Sequence, residues 1–328
     1  MAARPGEFEL IEKYFRPLAT DAGALGLSDD AAWFRPAAGE EIVLTTDLIA
    51  AGVHFFPGDP PESIARKALR VNLSDLAGKG ARPLGYLVAL ALPEDWTEAW
   101  IRRFARALAD DQRRYAISLF GGDTSRASGG LTIAVTAFGT LPRGTMVHRD
   151  GARPGDLVYV SGTIGDAALG LLVCLGRVAG SVPAAARKAL IDRYRHPQPR
   201  VELAVAIRRY ATAAMDVSDG LVGDLGHICR TSGVTAEIDA GSVPLARAAR
   251  QVVALGPDYL VAAITGGDDY EILATVSPQN GPAFERAAAK AGVAVTRIGR
   301  IVAGKGPPKV RDAGGEALRF DRAGHTHF

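Results

Sequence analysis

Gly121-Gly122-Asp123-Thr124-Ser125-Arg126 is the stretch from which the fold of this chain can be worked out. It follows a short apolar run, Ala116 to Phe120, that is typical of a buried strand. We therefore expect the motif where that strand ends and a loop begins. Two adjacent glycines allow a backbone to come close to a ligand. The aspartate behind them would then lie at the mouth of a sheet, which is where open α/β sheets bind ligands.

Aspartates beside Gly, Ser or Thr recur at the ends of other apolar segments. These acidic corners are Ser28-Asp29-Asp30, Thr45-Thr46-Asp47, Asn72-Leu73-Ser74-Asp75, Asp216-Val217-Ser218-Asp219-Gly220 and Gly266-Gly267-Asp268-Asp269. Any one of them has an ordinary explanation, because aspartate is common in turns and at helix N-caps. Their repetition favours one shared site for hard cations, since carboxylates, hydroxyls and carbonyls are the ligands that Mg²⁺ and Ca²⁺ take.

The composition restricts the kinds of partner. The 328 residues can bury a large core and favour two domains over one. With 38 basic and 36 acidic residues the formal net charge is +2, so the chain has no overall field that points to nucleic acid. Its two cysteines, Cys174 and Cys229, are too far apart in sequence for a metal motif, and we expect both to be small buried hydrophobes. The six scattered histidines also lack the spacing of zinc ligands.

The termini and the apolar runs bear on localisation. Met1 to Phe8 lacks the apolar stretch of a signal peptide, and no uncharged apolar run reaches the roughly 18 residues that a membrane span needs. We expect a cytoplasmic protein with no membrane partner.

Apolar periodicity predicts an α/β or α+β fold with mixed sheets in two domains. Helices are predicted at Glu7–Leu18 and Pro61–Gly80, and a strand at Ile42–Thr46 with Asp47 at its end. Asp95 and Glu98 are expected to form a capping box for the next helix. Further strands are predicted at Leu84–Leu92, Leu131–Gly139, Leu157–Ser161, Ala213–Val217, Val234–Ile238, Leu260–Ile264, Glu271–Val276 and Val293–Ile301. The Gly- and Pro-rich stretch 142–156 predicts a boundary between domains 1–145 and 146–328.

A site this acidic favours phosphoryl transfer with metal ions. It would repel a nucleoside triphosphate unless several cations neutralised the charge between them. The chain has neither a Gly-x-x-x-x-Gly-Lys-Ser/Thr phosphate loop nor a protein-kinase catalytic-loop signature. If it uses ATP, it belongs to neither of those classes.

The ordered set of motifs resembles the thiamine-monophosphate kinase family, within the aminoimidazole ribonucleotide synthetase-like superfamily. The residues that carry the resemblance are Asp29-Asp30-Ala31-Ala32, Thr45-Thr46-Asp47, Gly52-Val53-His54-Phe55, Asn72-Leu73-Ser74-Asp75-Leu76-Ala77, Gly121-Gly122-Asp123-Thr124, Met215-Asp216-Val217-Ser218-Asp219-Gly220-Leu221 and Gly267-Asp268-Asp269-Tyr270-Glu271. They span nearly the whole chain. The resemblance implies an N-terminal α/β domain whose sheet joins a partner's in a dimer barrel, and a C-terminal α/β domain. It also implies ATP-dependent phosphorylation of thiamine monophosphate to thiamine diphosphate, by in-line transfer with several Mg²⁺ ions.

The resemblance also implies roles for individual residues. Those that would hold Mg²⁺ are Asp30, Thr45, Thr46, Asp47, Asp75, Asp123, Asp216 and Asp219, and the catalytic carboxylates among them are Asp30, Asp47, Asp75, Asp123 and Asp216. Those that would contact ATP are Gly121, Gly122, Arg149 and Ser218. Those that would face thiamine monophosphate are His54, Asp268, Asp269 and His325.

This sequence departs from the family pattern at a few positions. Asp268 stands where the family usually has Glu, and His325 stands where it often has an aromatic tyrosine. Two alternatives stay open. One is another ATP-dependent activity of the superfamily, although selenophosphate synthetases usually carry an N-terminal cysteine and no cysteine precedes Cys174 here. The other is a paralogue that binds ATP or metal without catalysis.

Overall fold

A computed structural model of the chain describes residues 5–312, 314–318, 320 and 324. They divide into two compact units. The first runs to Leu76 and resumes at Ala81–Gly144, and the second comprises Ala77–Gly80 and the chain from Thr145 onwards. Each unit is built around one mixed β-sheet, so the expected α/β class with mixed sheets is confirmed.

The first unit contains a four-stranded sheet. Its strands are β1 (Glu40–Ala50), β2 (Arg82–Leu92), β3 (Ser118–Arg126) and β4 (Thr132–Pro142). The helices are α1 (Glu7–Leu10), α2 (Pro61–Gly78) and α3 (Glu98–Tyr115), and α1 continues as a π-helix at Ile11–Phe15 and a 3₁₀ turn at Arg16–Leu18. The strand order is β1-β4-β2-β3, with β2 and β3 parallel and β4 antiparallel to both of its neighbours.

The two faces of this sheet differ in burial. Tyr86, Val88 and Val135 are buried on one face, and on the other face Leu44 and Leu48 are 67% and 57% exposed. Because strand side chains alternate, neighbouring residues of β1 belong to opposite faces. The register therefore decides which of the predicted ligands can share a site.

The second unit contains a six-stranded sheet. Its strands are β5 (Leu157–Ser161), β6 (Ala211–Asp216), β7 (Thr235–Asp239), β8 (Ile272–Val276), β9 (Val295–Val302) and β10 (Lys309–Arg311). The helices are α4 (Asp166–Cys174), α5 (Ala184–Arg195), α6 (Ala204–Tyr210), α7 (Leu221–Ser232), α8 (Arg247–Val253), α9 (Pro257–Thr265) and α10 (Gly281–Lys290). The strand order is β10-β7-β9-β5-β8-β6, in which only the β10–β7 pair is parallel.

Both faces of strand β5 are covered, which explains why its sequence is almost continuously apolar. Val158 and Val160 of β5 pack into one hydrophobic cluster, while Tyr159 between them packs into another with Phe284. Cys229 is buried in the first of these clusters, as expected, whereas Cys174 is only half-buried. Of the helices that the structure describes, none combines the length and apolar character that crossing a membrane requires.

Two of the predicted local structures are wrong. Leu260–Ile264 is not a strand but part of α9, which Gly256 and Pro257 begin and Gly266 ends. A short apolar run has no periodicity that separates a buried strand from a buried helix, so only the flanking residues carry the signal.

The N-cap of α3 is Thr97, whose hydroxyl accepts from the Trp100 N–H at 3.2 Å. Glu98 is not part of a capping box with Asp95, because its carboxylate binds Lys13 at 2.5 Å and the Tyr14 hydroxyl.

Two acidic corners lie inside strands rather than at their ends. β1 extends to Ala50, which places Asp47 opposite Val135 within the ladder. The stretch Gly121–Arg126 forms the second half of β3, and Asp123 pairs with Ala89 of β2. Neighbouring strands supply hydrogen-bonding partners here, and they extend both strands beyond their apolar runs.

Candidate active site

Two acidic corners that are far apart in sequence meet at one cavity of the first unit. The cavity has a volume of about 670 Å³, and its lining includes Asp29, Asp30, Gly121, Gly122 and Asp123. Asp30 lies on the loop before β1, and Asp123 lies in β3. The structure thus brings together four residues for which roles were predicted, two as metal ligands and two as ATP contacts.

Gly122 has a structural reason to be glycine. A Cβ at this position would lie 1.8 Å from the carbonyl oxygen of Val88, on the adjacent strand β2. At Gly121 the nearest atom to such a Cβ is the Leu87 Cδ2, at 3.3 Å. Close strand packing therefore requires the second glycine, while the first leaves room beside the cavity.

A second group of predicted metal ligands lies on the other face of β1. The Thr45 hydroxyl donates to Asp75 Oδ2 on α2 at 2.6 Å. Burial, with a smaller contribution from the charge of Asp75, raises the pKa of the Asp47 carboxyl to about 6. Two carboxylates and a hydroxyl at a partly desolvated position form a donor set that suits a hard divalent cation.

Thr46 belongs to the first group and not to the second. It pairs with Thr136 of β4, whose hydroxyl lies 3.0 Å from its own, and Thr136 lines the same cavity as Asp30 and Asp123. Its hydroxyl also lies within 3.2 Å of the Val135 carbonyl oxygen. Thr45 and Thr46, adjacent in sequence, thus serve opposite faces of the sheet.

His54 lies in a tight turn directly after β1. Its Nδ1 accepts from the Ala50 N–H at 3.1 Å, which leaves the proton of a neutral ring on Nε2. Its carbonyl oxygen accepts from the Lys67 ammonium at 2.8 Å. Both contacts fix the ring and the turn, and the substrate contact of His54 stays a prediction.

In the second unit the buried carboxylate of Asp224 holds the backbone that follows Asp216. Asp216 ends β6 and is buried. The backbone N–H groups of Ser218 and Asp219 both donate to Asp224 Oδ2, each at 3.0 Å. Asp224 is 1% exposed, and burial together with the charge of Asp219 raises its pKa to about 7. Sequence reasoning missed Asp224, although an acid in the first turn of a helix that follows Gly220 is a recognisable signal.

Asp219 is part of a small cluster along α7. One ligand atom each from Asp219, Asp224 and His227 lie within 4.8 Å of one another. Burial, Arg230 and Arg149 lower the pKa of His227, so that its neutral form is favoured. The cluster adjoins a cavity of about 920 Å³ that Asp219, His227 and Arg230 help to line.

Arg149 is held at the C-terminal end of α7. Its carbonyl oxygen accepts from the Thr231 hydroxyl at 3.0 Å and from the Ser232 hydroxyl at 3.1 Å, and its side chain is exposed. The structure thus places Arg149 close to the helix that begins after Ser218 and Asp219. Its predicted contact with ATP stays a prediction.

The two adjacent aspartates that were predicted to face the substrate have different surroundings. Asp269 is 1% exposed, and its carboxylate accepts from the N–H groups of Gly165 at 2.6 Å and Ala167 at 3.3 Å, where α4 begins. Burial raises the pKa of Asp269 well above its ordinary value. Asp268 is only half-buried, and its N–H donates to the Ser218 carbonyl oxygen at 2.8 Å. Asp268 is therefore the less buried of the two, and the substrate contacts of both aspartates stay predictions.

One predicted substrate residue cannot be placed. His325 lies outside the described residues.

Comparisons with known proteins cover both units. Residues 28–141 match the model of the AIR synthase related protein N-terminal domain, and residues 153–308 match that of its C-terminal domain. Thiamine-monophosphate kinase from Caulobacter vibrioides is 45% identical over 309 residues, which covers 93% of this chain and 86% of that protein.

Solved structures are similar over nearly the same length. The crystal structure of thiamine-monophosphate kinase from Stenotrophomonas maltophilia K279a is 42% identical with a TM-score of 0.83, covering 95% of this chain and 98% of that one. AaThiL complexed with AMPPCP and TMP is 33% identical with a TM-score of 0.76, covering 98% of this chain and 97% of that one.

Proposed function

This chain belongs to the thiamine-monophosphate kinase family, and from that membership we propose that it transfers the terminal phosphoryl group of ATP to the phosphate of thiamine monophosphate. The products are thiamine diphosphate and ADP. The observation that carries the proposal is the 42% identity and TM-score of 0.83 to a solved thiamine-monophosphate kinase over 95% of the chain. A similar structure holds AMPPCP together with TMP, which supports the pairing of nucleotide and substrate.

The donor sets fit Mg²⁺. Asp30, Thr46 and Asp123 would hold metal from one face of the first sheet, and Thr45, Asp47 and Asp75 would do so from the other. In the second unit, Asp216 and Asp219 would hold Mg²⁺. All are oxygen donors, as Mg²⁺ prefers, and the raised pKa of Asp47 marks a carboxyl whose ionised form a cation would stabilise. When bound, Mg²⁺ supplies neutralisation of the phosphate charge.

The residues of the chain itself have positioning roles in this scheme. Gly121, Gly122, Ser218 and Arg149 would contact ATP, the arginine through a planar guanidinium that matches phosphate oxygens. The acceptor is a phosphate group that is already ionised at neutral pH, so we assign no general base. The rate would then depend on aligning donor and acceptor and on charge neutralisation.

The substrate residues are proposed as His54 and Asp268, together with Asp269 and His325. The thiazolium ring of thiamine monophosphate carries a permanent positive charge, which an ionised carboxylate attracts. Asp268 suits this role because it is half-buried and bonded through its N–H to Ser218, a proposed ATP contact.

We further propose a homodimer built on the first sheet. Ile42, Leu44 and Leu48 are apolar and between 44% and 67% exposed on its open face. Such a patch on a sheet is a candidate interface. Residues 1–145 would then supply ATP and Mg²⁺ binding and dimerisation, and residues 146–328 the remaining ligands, in a cytoplasmic enzyme.

The test is a coupled assay of the purified protein with ATP, Mg²⁺ and thiamine monophosphate, in which thiamine diphosphate and ADP are measured together. We expect equal amounts of both, and neither without Mg²⁺. ATP binding without turnover would instead indicate a non-catalytic paralogue. Phosphate release without thiamine diphosphate would indicate a different activity of the superfamily.

A further inference from the structure

The segment between Gly267 and Glu271 has an unusual backbone. Asp268 has φ 73° and Tyr270 has φ 51°, so two of three consecutive residues adopt the left-handed region. Asp tolerates this region better than most residues, but for an aromatic residue such as tyrosine it is a true outlier. Backbone strain of this kind persists only where the surroundings enforce it, and it clusters at functional sites.

The surroundings that enforce it are the buried neighbours of these two residues. Glu271 is fully buried, and its carboxylate accepts from Arg200 Nε at 2.6 Å, from Arg193 Nη2 at 3.0 Å and from the Ser161 hydroxyl at 2.6 Å. Asp269 is buried against the start of α4. Asp269 and Glu271 are therefore anchored inside the unit, while the alternate residues Asp268 and Tyr270 stay half-buried.

The same segment is bonded to the Asp216 corner. The Asp268 N–H donates to the Ser218 carbonyl oxygen and the Tyr270 N–H to the Val217 carbonyl oxygen, both at 2.8 Å. The two stretches approach so closely that a Cβ on Gly267 would lie 2.2 Å from the Ser218 carbonyl oxygen. Asp268 and Tyr270 are therefore fixed relative to Ser218.

The side chains of the two strained residues also meet. The Tyr270 hydroxyl donates to Asp268 Oδ1 at 3.2 Å. This contact restrains the orientation of the Asp268 carboxylate.

We propose that Tyr270 is a positioning residue for the substrate: through its hydroxyl it orients the Asp268 carboxylate toward the cationic ring of thiamine monophosphate. The strained backbone and the buried Glu271 anchor keep the pair aligned before the substrate arrives, which lowers the cost of binding. The inference rests on the proposed function, because it refines how that same site recognises its substrate.

The test compares steady-state kinetics of the full-length protein and of Tyr270→Phe. Phenylalanine has the same backbone preferences and ring size, so only the hydroxyl is lost. We expect the KM for thiamine monophosphate to rise about tenfold or more, as for one lost hydrogen bond to a charged group. The kcat and the KM for ATP should stay within about twofold of the wild-type values. An unchanged KM for thiamine monophosphate would overturn the proposal.

A double-mutant cycle separates this role from a general effect on the fold. Asp268→Gly removes the carboxylate, and glycine accepts φ 73° without strain. If Tyr270 acts through Asp268, adding Tyr270→Phe to Asp268→Gly should change the KM no further. A full effect of Tyr270→Phe in that background would contradict the inference.

Tyr259→Phe is the matched control. It removes the hydroxyl on α9 that accepts from the Ala179 N–H at 2.6 Å, and it should leave both KM values unchanged. If the wild-type protein forms no thiamine diphosphate, the proposed function fails. If the wild-type is active and Tyr270→Phe matches it, only the inference fails.

Discussion

The hydroxyl of Thr45 donates a 2.6 Å hydrogen bond to the Asp75 carboxylate, which joins strand β1 to helix α2 across 30 residues of sequence. The bond occupies one lone pair of the Asp75 carboxylate, sets its orientation and leaves the other oxygen for a cation. Asp47 lies close enough that the charge of Asp75 contributes to its raised pKa. The side chains of Thr45, Asp47 and Asp75 are therefore linked by a hydrogen bond and by charge.

Asp75→Ala should reduce kcat by about a hundredfold or more, because it removes a carboxylate from the proposed metal site. The fold should be kept, since Asp75 is only half-buried on α2. Circular dichroism and thermal unfolding check the fold, and the coupled assay checks the rate. Thr45→Val, which removes only the orienting hydroxyl, should have a smaller effect. Near-normal turnover of Asp75→Ala would count heavily against this metal site.

The stability of the metal-free protein should fall as the pH rises through about 6. Folding raises the pKa of Asp47 from the ordinary 3.8 to about 6, so the folded state binds the proton more tightly than the unfolded state does. The contribution is complete below pH 4 and is lost as the carboxyl ionises. Denaturant unfolding between pH 4 and 8 without Mg²⁺ measures it, and Asp47→Asn should flatten this part of the profile.

Mg²⁺ should raise the melting temperature more at pH 7.5 than at pH 5. A cation competes with the proton for the Asp47 carboxylate, and its apparent affinity therefore increases once that group has ionised. Thermal unfolding with and without Mg²⁺ at both pH values provides the measurement. Equal shifts at the two pH values would show that Asp47 takes no part in binding the metal.

Gly122→Ala should destabilise the first unit by about 2 kcal/mol or more, because its Cβ would overlap the Val88 carbonyl oxygen on the neighbouring strand. Gly121→Ala is the matched control, as the nearest atom to its Cβ is a flexible leucine methyl group at 3.3 Å. Denaturant unfolding of both variants gives the comparison. Equal stabilities would mean that β2 and β3 do not need this close approach.

Leu44→Lys should shift the protein from dimer to monomer. Leu44 is 67% exposed on the open sheet face of the single chain. Dimer formation would bury the lysine ammonium in an apolar interface, which costs free energy. Leu255→Lys is the control, since Leu255 is also exposed but lies after α8 in the second unit. Sedimentation analysis reads the mass directly. A monomeric wild-type protein, or a dimeric Leu44→Lys variant, would contradict the proposed interface.

The sequence predicted the elements whose signal is local. The apolar runs of β2, β4 and β5 and the punctuation of α2 identified these elements because burial and helix ends have local signatures. The family motifs likewise predicted a shared site for Asp30 and Asp123; both residues line one cavity, and their binding of metal stays a prediction.

Tertiary structure alone decided the features that depend on partners far along the chain. Asp47 lies inside a strand because β4 pairs with β1 beyond the apolar run, and the register of that pairing decides which face of the sheet Thr45 and Thr46 each take. Asp268 and Asp269 are adjacent and chemically identical in sequence. The Asp269 carboxylate is buried against the N–H groups at the start of α4, whereas the Asp268 N–H donates to the Ser218 carbonyl oxygen and Asp268 stays half-buried. Apolar periodicity records which residues avoid water, whereas a carboxylate's role follows from the donors that surround it, and those donors come from distant segments.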